Sequence, residues 1–235
     1  MAFLYDPHVH TSVGSRCSKV LPEEAVQRFA KMGYAGIFIT EHFFNNPSTT
    51  VPFREIPWEE AIEQYCRPYE MAKAEGEKVG LQVFFGFENS YQGNDILTYG
   101  LGKDWLKAHP EIMDMPIRQY CEFARAEGGF VVHAHPFREA KYIDLIRLMP
   151  RSVDAVEILN GSCSDFQNDR AAEYARNYGL AVTGGSDYHG SKPLLCAIDS
   201  PVRFGTVADF CEAVRCGDAT PVVAIDGRES GTVSE

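Results

Sequence analysis

Asp6, His8 and His10 occupy alternate positions in "YDPHVHTS" near the start of the chain, and all three are residue types that bind divalent cations or move protons. The stretch follows the apolar "MAFL" and reads as a first β-strand. Successive side chains on a strand point to opposite faces, so the three are expected on the same one. Two imidazoles and a carboxylate converging there suit a divalent cation. A surface histidine beside a hydrogen-bonded core histidine accounts equally well for an isolated His-x-His, so the rest of the chain must decide. The same residue types recur at or near the ends of later strand-like runs: Glu41 and His42, Glu88, Asp95, His133 and His135, Glu157 and Asn160, Asp187 and His189. Six of the seven histidines fall in this set, which favours a shared purpose over scatter.

The elements that would position them alternate along the chain. After the first strand, Pro22, Glu23 and Glu24 suit the opening turn of a helix over 21–31 that ends at Gly33. Strands are expected at 34–40 ("YAGIFIT"), 81–88 ("LQVFFGFE"), 95–101, 130–135, 153–160 and 180–187, with helices at 58–75, 116–127, 139–149, 166–178 and 206–215 and a last apolar run at 221–225. Strands alternating with helices imply a parallel sheet with right-handed crossovers, and seven or eight such units suggest closure into a barrel. An open doubly wound sheet is the other possibility, but no glycine-rich GxGxxG turn follows the first strand. In a barrel the strand ends meet on one rim, so residues distant in sequence converge there.

Mixed imidazole and carboxylate donors suit zinc, manganese or iron, whereas calcium and magnesium sites are built mainly of oxygen. More than six candidate ligands exceed one tetrahedral site, so at least two ions are expected, with Glu88 placed to bridge them. The 235 residues fit one barrel domain, with 206–235 as a helix-plus-strand extension packed on it. Thirty-three acidic against 22 basic residues give a net charge of −11, the wrong sign for attracting duplex nucleic acid. The seven cysteines are scattered without a CxxC, so no disulfide framework or zinc knuckle is indicated. Neither a leader-like segment nor a long apolar run is visible, so a cytoplasmic protein without a membrane partner is expected.

"DPHVHTS", "ITEH", "GFEN", "HAHPFR" and "GGSDYHG", in that order and at strand ends, resemble the polymerase-and-histidinol-phosphatase (PHP) family of metal-dependent phosphoesterases. The resemblance runs from Asp6 to at least His189. It implies an α/β fold, a distorted (β/α)7 TIM-like barrel, carrying two or three divalent metal ions that hydrolyse phosphate esters, in the stand-alone bacterial form. It further implies that His8 and His10 bind the first metal with Glu88 bridging and Asp187 completing the site, that His135 binds a second, and that His42 and His189 bind a third. Asp6 and Glu41 are expected behind the ligands, orienting them.

Three departures stand out against the family pattern. Glu41 precedes His42 where many relatives have aspartate, and Asp95 occupies the place of a second-metal histidine. The segment after His-x-His-Thr reads "SVGSRCS", which leaves Cys17 as the available third-site ligand. Arg138, three residues after His135, is the expected phosphate clamp, with Arg16 and Lys192 as weaker candidates. Glu157 and Asn160 are expected to shape the substrate pocket or to hold hydrogen bonds behind the ligands, with Asn160 a candidate for contact with substrate, and His42 or His189, if free of metal, is expected as the acid that protonates the leaving oxygen. The substrate class implied is a small phosphorylated metabolite or a nucleotide. Two other functions compete: an amidohydrolase-type barrel, against which stands the lack of a lysine at any strand end, and a non-catalytic, metal-stabilised interaction domain, against which stands the nearly full ligand set.

Overall fold

The structure, a computed structural model, describes residues 2–190, 195–224 and 230–231. In chain order the elements are β1 (Phe3–Val9), α1 (Pro22–Lys31), β2 (Gly36–Ile39), α2 (Trp58–Val79), β3 (Gln82–Tyr91), β4 (Asn94–Tyr99) and α3 (Lys103–Ala108). After a 3-10 turn at Pro110–Asp114 come α4 (Ile117–Ala126), β5 (Phe130–Ala134), β6 (Ala155–Asn160), α5 (Asp165–Tyr178) and β7 (Ala181–Gly185). The last elements are β8 (Leu195–Ser200), α6 (Val207–Cys216), β9 (Thr220–Ala224) and β10 (Ser230–Gly231). The strands pair in the order β10-β9-β8-β1-β2-β3-β4-β5-β6-β7. The ring then nearly closes on itself, because Tyr188, just past β7, bonds through its N–H to His8 O and through its carbonyl to His10 N–H. The result is a distorted seven-stranded α/β barrel, with β8, β9 and β10 continuing the sheet outward from β1.

Alternation along each strand separates two cores. Inward side chains from β1 to β6, among them Tyr5, Phe38, Phe84, Leu97, Val132 and Ala155, fill the barrel. Outward ones, such as Val26 with Ile37 and Val9, or Phe87 with Tyr65, pack under the helices. Phe204 and Phe210 join the inner core and stop the end of the barrel where the parallel strands begin. Apolar filling therefore occupies that end, and the opposite end is left to the polar residues. Among the described residues, no helix is long and apolar enough to cross a membrane.

Three expectations from the sequence need correction. β4 is not a parallel strand: it pairs antiparallel with β3 and with β5. Only Gln92 and Gly93 join β3 to β4, both with positive φ (49° and 82°), the backbone of a tight hairpin and far too short for a crossover. The segment 139–149 is not a helix. Asn94 Oδ1 accepts the Arg147 amide at 3.2 Å and Arg147 Nη2 donates to Gln92 Oε1 at 2.7 Å, which ties the segment along the hairpin tip. β8, with no counterpart among the expected strands, pairs antiparallel with β1. Of the last expected run, Pro221 to Ala224 lies in β9, while Ile225 is outside the described residues.

β1 also breaks its own alternation. Tyr5 points into the barrel core, yet Val9, four residues later, packs outside it, and the pairing with β2 shifts between Asp6 and Val9. Pro7, which has no N–H to offer the ladder, sits inside this irregularity, and its carbonyl accepts the Tyr99 hydroxyl at 2.8 Å. We expect Tyr99→Phe, which leaves that buried carbonyl unpaired, to lower the unfolding free energy by about 1–3 kcal/mol in a urea titration with the fold retained. An unchanged midpoint would show that the bond contributes nothing to holding the irregular strand.

Candidate metal centre

The shift in β1 brings His8 and His10 inward. Had the strand stayed regular, the inward positions after Tyr5 would be Pro7 and Val9. Asp6 therefore does not share their face, contrary to the alternation expected from the sequence. Its Oδ1 instead accepts the backbone amides of His8 (3.1 Å) and Ser186 (3.0 Å), bracing β1 against the end of β7. Backbone bonds set the neighbouring ligands in register. Tyr188, flanked by Asp187 and His189, bonds to His8 and His10, while Glu88 N–H donates to Glu41 O and Phe43 N–H to Glu88 O. His135 and Asp187, just past β5 and β7, have positive φ (28° and 49°). Such a backbone costs of order 1–3 kcal/mol in a non-glycine residue and gathers at functional sites. Gly185 makes room for the arrangement, since a Cβ there would lie 2.6 Å from the His8 Cβ.

Four side chains meet at the centre. His8 Nε2 lies 3.0 Å from His10 Nε2, 3.3 Å from Glu88 Oε1 and 3.6 Å from Asp187 Oδ1. His10 Nε2 lies 3.6 Å from Glu88 Oε2 and 3.4 Å from the same Asp187 oxygen. Ligands bound at zinc–nitrogen distances around a tetrahedral ion stand about 3.4 Å from one another, so the four donors already have the spacing of a coordination shell. The tautomer is set as well, because His8 Nδ1 is held at 2.9 Å by Glu157 Oε1, leaving Nε2 to face the centre. Glu157 Oε2 in turn accepts the His135 amide (3.0 Å) and the Asn160 side-chain amide (2.8 Å).

Two further groups adjoin the first. His135 Nε2 stands 3.3 Å from Glu88 Oε1 and 3.9 Å from Asp95 Oδ2, so Glu88 faces both sets of imidazoles. On the cleft side, donor atoms of His10, His42 and His189 lie within 4.8 Å of one another, and His189 Nε2 is 3.1 Å from Cys17 Sγ. His42 Nδ1 is also 2.5 Å from Glu88 Oε2. Both oxygens of fully buried Glu88, and His135 Nε2, lack a hydrogen bond of sound geometry. Orphaned buried donors and acceptors of this kind are what a cation would satisfy. The residues present therefore fit at least two divalent ions.

The electrostatics agree with this reading. Burial raises the Glu88 pKa, but His42 and His8 outweigh it and hold the carboxyl well below its usual range. Asp187 is likewise held down, with burial opposed by Arg138 and His8. Burial lowers the His8 pKa, yet Glu157, Asp187 and Glu88 carry it well above the ordinary value. Burial together with His42 and His189 keeps His10 well below that value. Burial also raises the Cys17 thiol, and hydrogen bonds from His189 and His42 bring it down overall to about 6. A cation entering this cluster would displace protons from imidazole.

The remaining candidates are placed as follows. Glu41 sits behind the ligands and takes hydrogen bonds from Thr11 Oγ1 (2.5 Å) and Ser15 Oγ (2.6 Å). Asn160 is fully buried and accepts from Arg138 at its Oδ1 (3.3 Å), which places it behind that guanidinium. Arg138 lines the cleft and gives one amino group to Asp187 as well. His133 faces away from His135: the inward residues of β5 are Phe130, Val132 and Ala134, so His133 packs outside against Tyr174. The positive φ of His135 is what turns that side chain inward. Arg16 is exposed outside the metal cluster, and Lys192 is outside the described residues. Phe43 and Phe44, which follow His42, are core residues around Tyr65. Sequence reasoning missed Ser90, which donates to Asp95 Oδ1 at 2.5 Å, and Asn46, whose amide meets His42 Nδ1 at 3.3 Å; neither carried a signal beyond adjacency to a strand end or a polar loop.

Comparisons with known proteins bear on the fold that carries this cluster. The PHP-associated family PHP_C matches residues 165–193, the span that includes Asp187 and His189. The fold is similar to that of a two-domain protein from Bacteroides vulgatus containing a predicted PHP-like metal-dependent phosphoesterase, with a TM-score of 0.70 and 16% identity over 96% of this chain and 65% of that one. The chain thus spans less than two thirds of that protein's length. It is also similar to a candidate metal-dependent phosphoesterase from Bifidobacterium adolescentis (TM-score 0.54, 16% identity, 90% and 95% of the two chains). An amidohydrolase from Chromobacterium violaceum, whose structure holds sulfate and no metal, is similar as well (0.57, 16%, 96% and 99%). Among curated proteins none matches. At these identities the likeness to solved structures is one of fold.

Two outcomes follow for the centre. Glu157→Gln weakens the hold on His8 and should lower metal affinity by about 10–100-fold in a competition titration with a chromogenic chelator; unaltered affinity would remove Glu157 from the centre. The second concerns pH in the metal-free protein. Burial pushes the carboxyls of Asp6 and Glu41 from 3.8 and 4.5 up to about 7, so the folded chain binds these protons more tightly than the unfolded one. These two carboxyls stabilise the fold below about 4.5 and lose that contribution as pH rises to about 7. Glu88 and Asp187, held down in the folded chain, act in the opposite sense, because the unfolded chain takes up their protons first as pH falls through about 4, and His10 and His133, also held down, oppose the two carboxyls below about 6.5. In urea titrations the stability of the parent chain relative to Asp6→Asn should therefore decline from about pH 4.5 to 7; a difference that does not vary with pH would contradict the assignment.

Proposed function

We propose that this chain, whose barrel and PHP-associated segment are those of the PHP proteins, is a metal-dependent phosphoesterase that hydrolyses a small phosphomonoester or a nucleotide. The observation that carries the reading is Glu88: a fully buried carboxylate whose oxygens lack a hydrogen bond of sound geometry, with Oε1 3.3 Å from both His8 and His135 and Oε2 facing His10 and His42. Held there, two divalent ions of the zinc, manganese or iron type supply Lewis acidity, acidifying water and offsetting phosphate charge. His8, His10, Glu88 and Asp187 would hold the first and Glu88, Asp95 and His135 the second, with His42, His189 and Cys17 available for a third.

The chain's own residues do the rest. Glu157 keeps His8 in the tautomer that faces the centre, and the Ser15 hydroxyl braces the loop after β1 against Glu41. Arg138, anchored on Asp187 and Asn160, presents a planar guanidinium to phosphate oxygens at the cleft floor. In the reaction a water oxygen bonds to phosphorus as the ester P–O bond breaks opposite it, and a proton goes to the leaving oxygen. His42 and His189 line the cleft and are the proton donors for that step where they carry no metal.

The test is phosphate release from a panel of phosphomonoesters by metal-loaded protein. Dialysis against a chelator should abolish it and added manganese or zinc restore it. Glu88→Ala and Asp187→Ala should each remove activity by at least about 100-fold along with bound metal, while Arg138→Ala should act mainly on KM. Full turnover by metal-free protein, or no phosphate release from any ester by the loaded one, would overturn the proposal.

A further inference from the structure

The cleft over the centre encloses about 1040 Å³, enough for a drug-sized molecule and far more than a phosphate group requires. Its floor is the metal cluster with Arg138. One side is polar and lined by Asn45 and Asn46, whose side-chain amides are tied to the protein, Asn46 Nδ2 to Ser90 Oγ at 2.8 Å and Asn45 Oδ1 to the Ser90 amide at 3.2 Å. The facing wall comes from the segment 139–149, and there Tyr142 is 67% and Leu145 59% exposed. Large apolar side chains this bare on a cleft wall are what a ligand covers.

The wall is held by its backbone and not by these side chains. Asn94 bonds the Arg147 amide, and Gly93 has room for no more than a hydrogen, since a Cβ there would lie 2.9 Å from Ile143 Cγ1. A rigid backbone thus carries Tyr142 and Leu145 at the cleft without needing them for packing. Among the described residues the outer end offers no free cation: Arg147 spends both amino groups on Gln92, and Asp144 lines the same end.

We propose that Tyr142 and Leu145 form the face on which the organic part of the ester lies, so that the enzyme prefers phosphomonoesters of planar, aromatic-type groups to small polar ones. This rests on the phosphoesterase reading and names its substrate class. A flat ring lies against phenol and isobutyl groups with little loss of freedom. Among the described residues the outer end sets Arg147 against Asp144 and gives no preference for a second phosphate.

Phosphonates, which cannot be hydrolysed, separate binding from leaving-group reactivity. Titration calorimetry of the metal-loaded chain should show benzylphosphonate binding about tenfold tighter than methylphosphonate. In Leu145→Ala and Tyr142→Ala the ratio between the two should fall toward one; both positions are exposed, and an unchanged melting temperature verifies the fold. Equal binding of the two phosphonates by the parent chain, or a ratio that survives both substitutions, would overturn the inference and leave the phosphoesterase reading standing. Binding of neither phosphonate would overturn both.

Discussion

A carboxylate removed from water inside a barrel must find a positive partner, and Glu88 is the point on which that demand falls. Its burial is complete, and its neighbours within 4 Å are imidazoles that cannot all be protonated together. A cation resolves the conflict in one stroke, neutralising the carboxylates and leaving each imidazole neutral with its lone pair engaged. The cluster is therefore costly to the empty protein and favourable to the loaded one. Much else in the structure is arranged to permit that cost: the irregular β1, the left-handed backbone at His135 and Asp187, and the glycine at 185 that lets β7 approach His8.

The two ends of the barrel divide the work. At one, Phe204 and Phe210 pack against Tyr5, Phe38 and Tyr99 in a core that needs no ligand. At the other, several of the clustered side chains are held by a hydrogen-bonding neighbour: Glu157 behind His8, Ser90 behind Asp95, and Arg138 on the cleft side of Asp187. The apolar end supplies stability that the polar end draws on, which is how strained residues persist at a functional site. The segment 139–149, which touches the outer core only through Met149, carries the wall of the cleft.

The strand ends were legible because a parallel barrel brings them together, so polar residues after apolar runs could be gathered into one cluster from type and order. What escaped was local geometry that breaks a period. A single irregularity at Pro7 moved Asp6 off the face of His8 and His10. A two-residue turn at Gln92 and Gly93 reversed β4, and the same reversal puts Asp95, at the start of its strand, beside the end of β3. The helical spacing of 139–149 lost to the Arg147 amide and the Leu145 carbonyl, both bonded to the Asn94 side chain. His133 and His135, two residues apart, face opposite ways because β5 ends between them.

The account stands on cations sharing Glu88. Crystals grown with manganese and measured on both sides of its absorption edge would show anomalous peaks at the centre. Two peaks, one among His8, His10 and Asp187 and one between Asp95 and His135, with a Glu88 oxygen on each, is the predicted result. A featureless map at full manganese load, with Glu88 bonded only to protonated histidines, would contradict it.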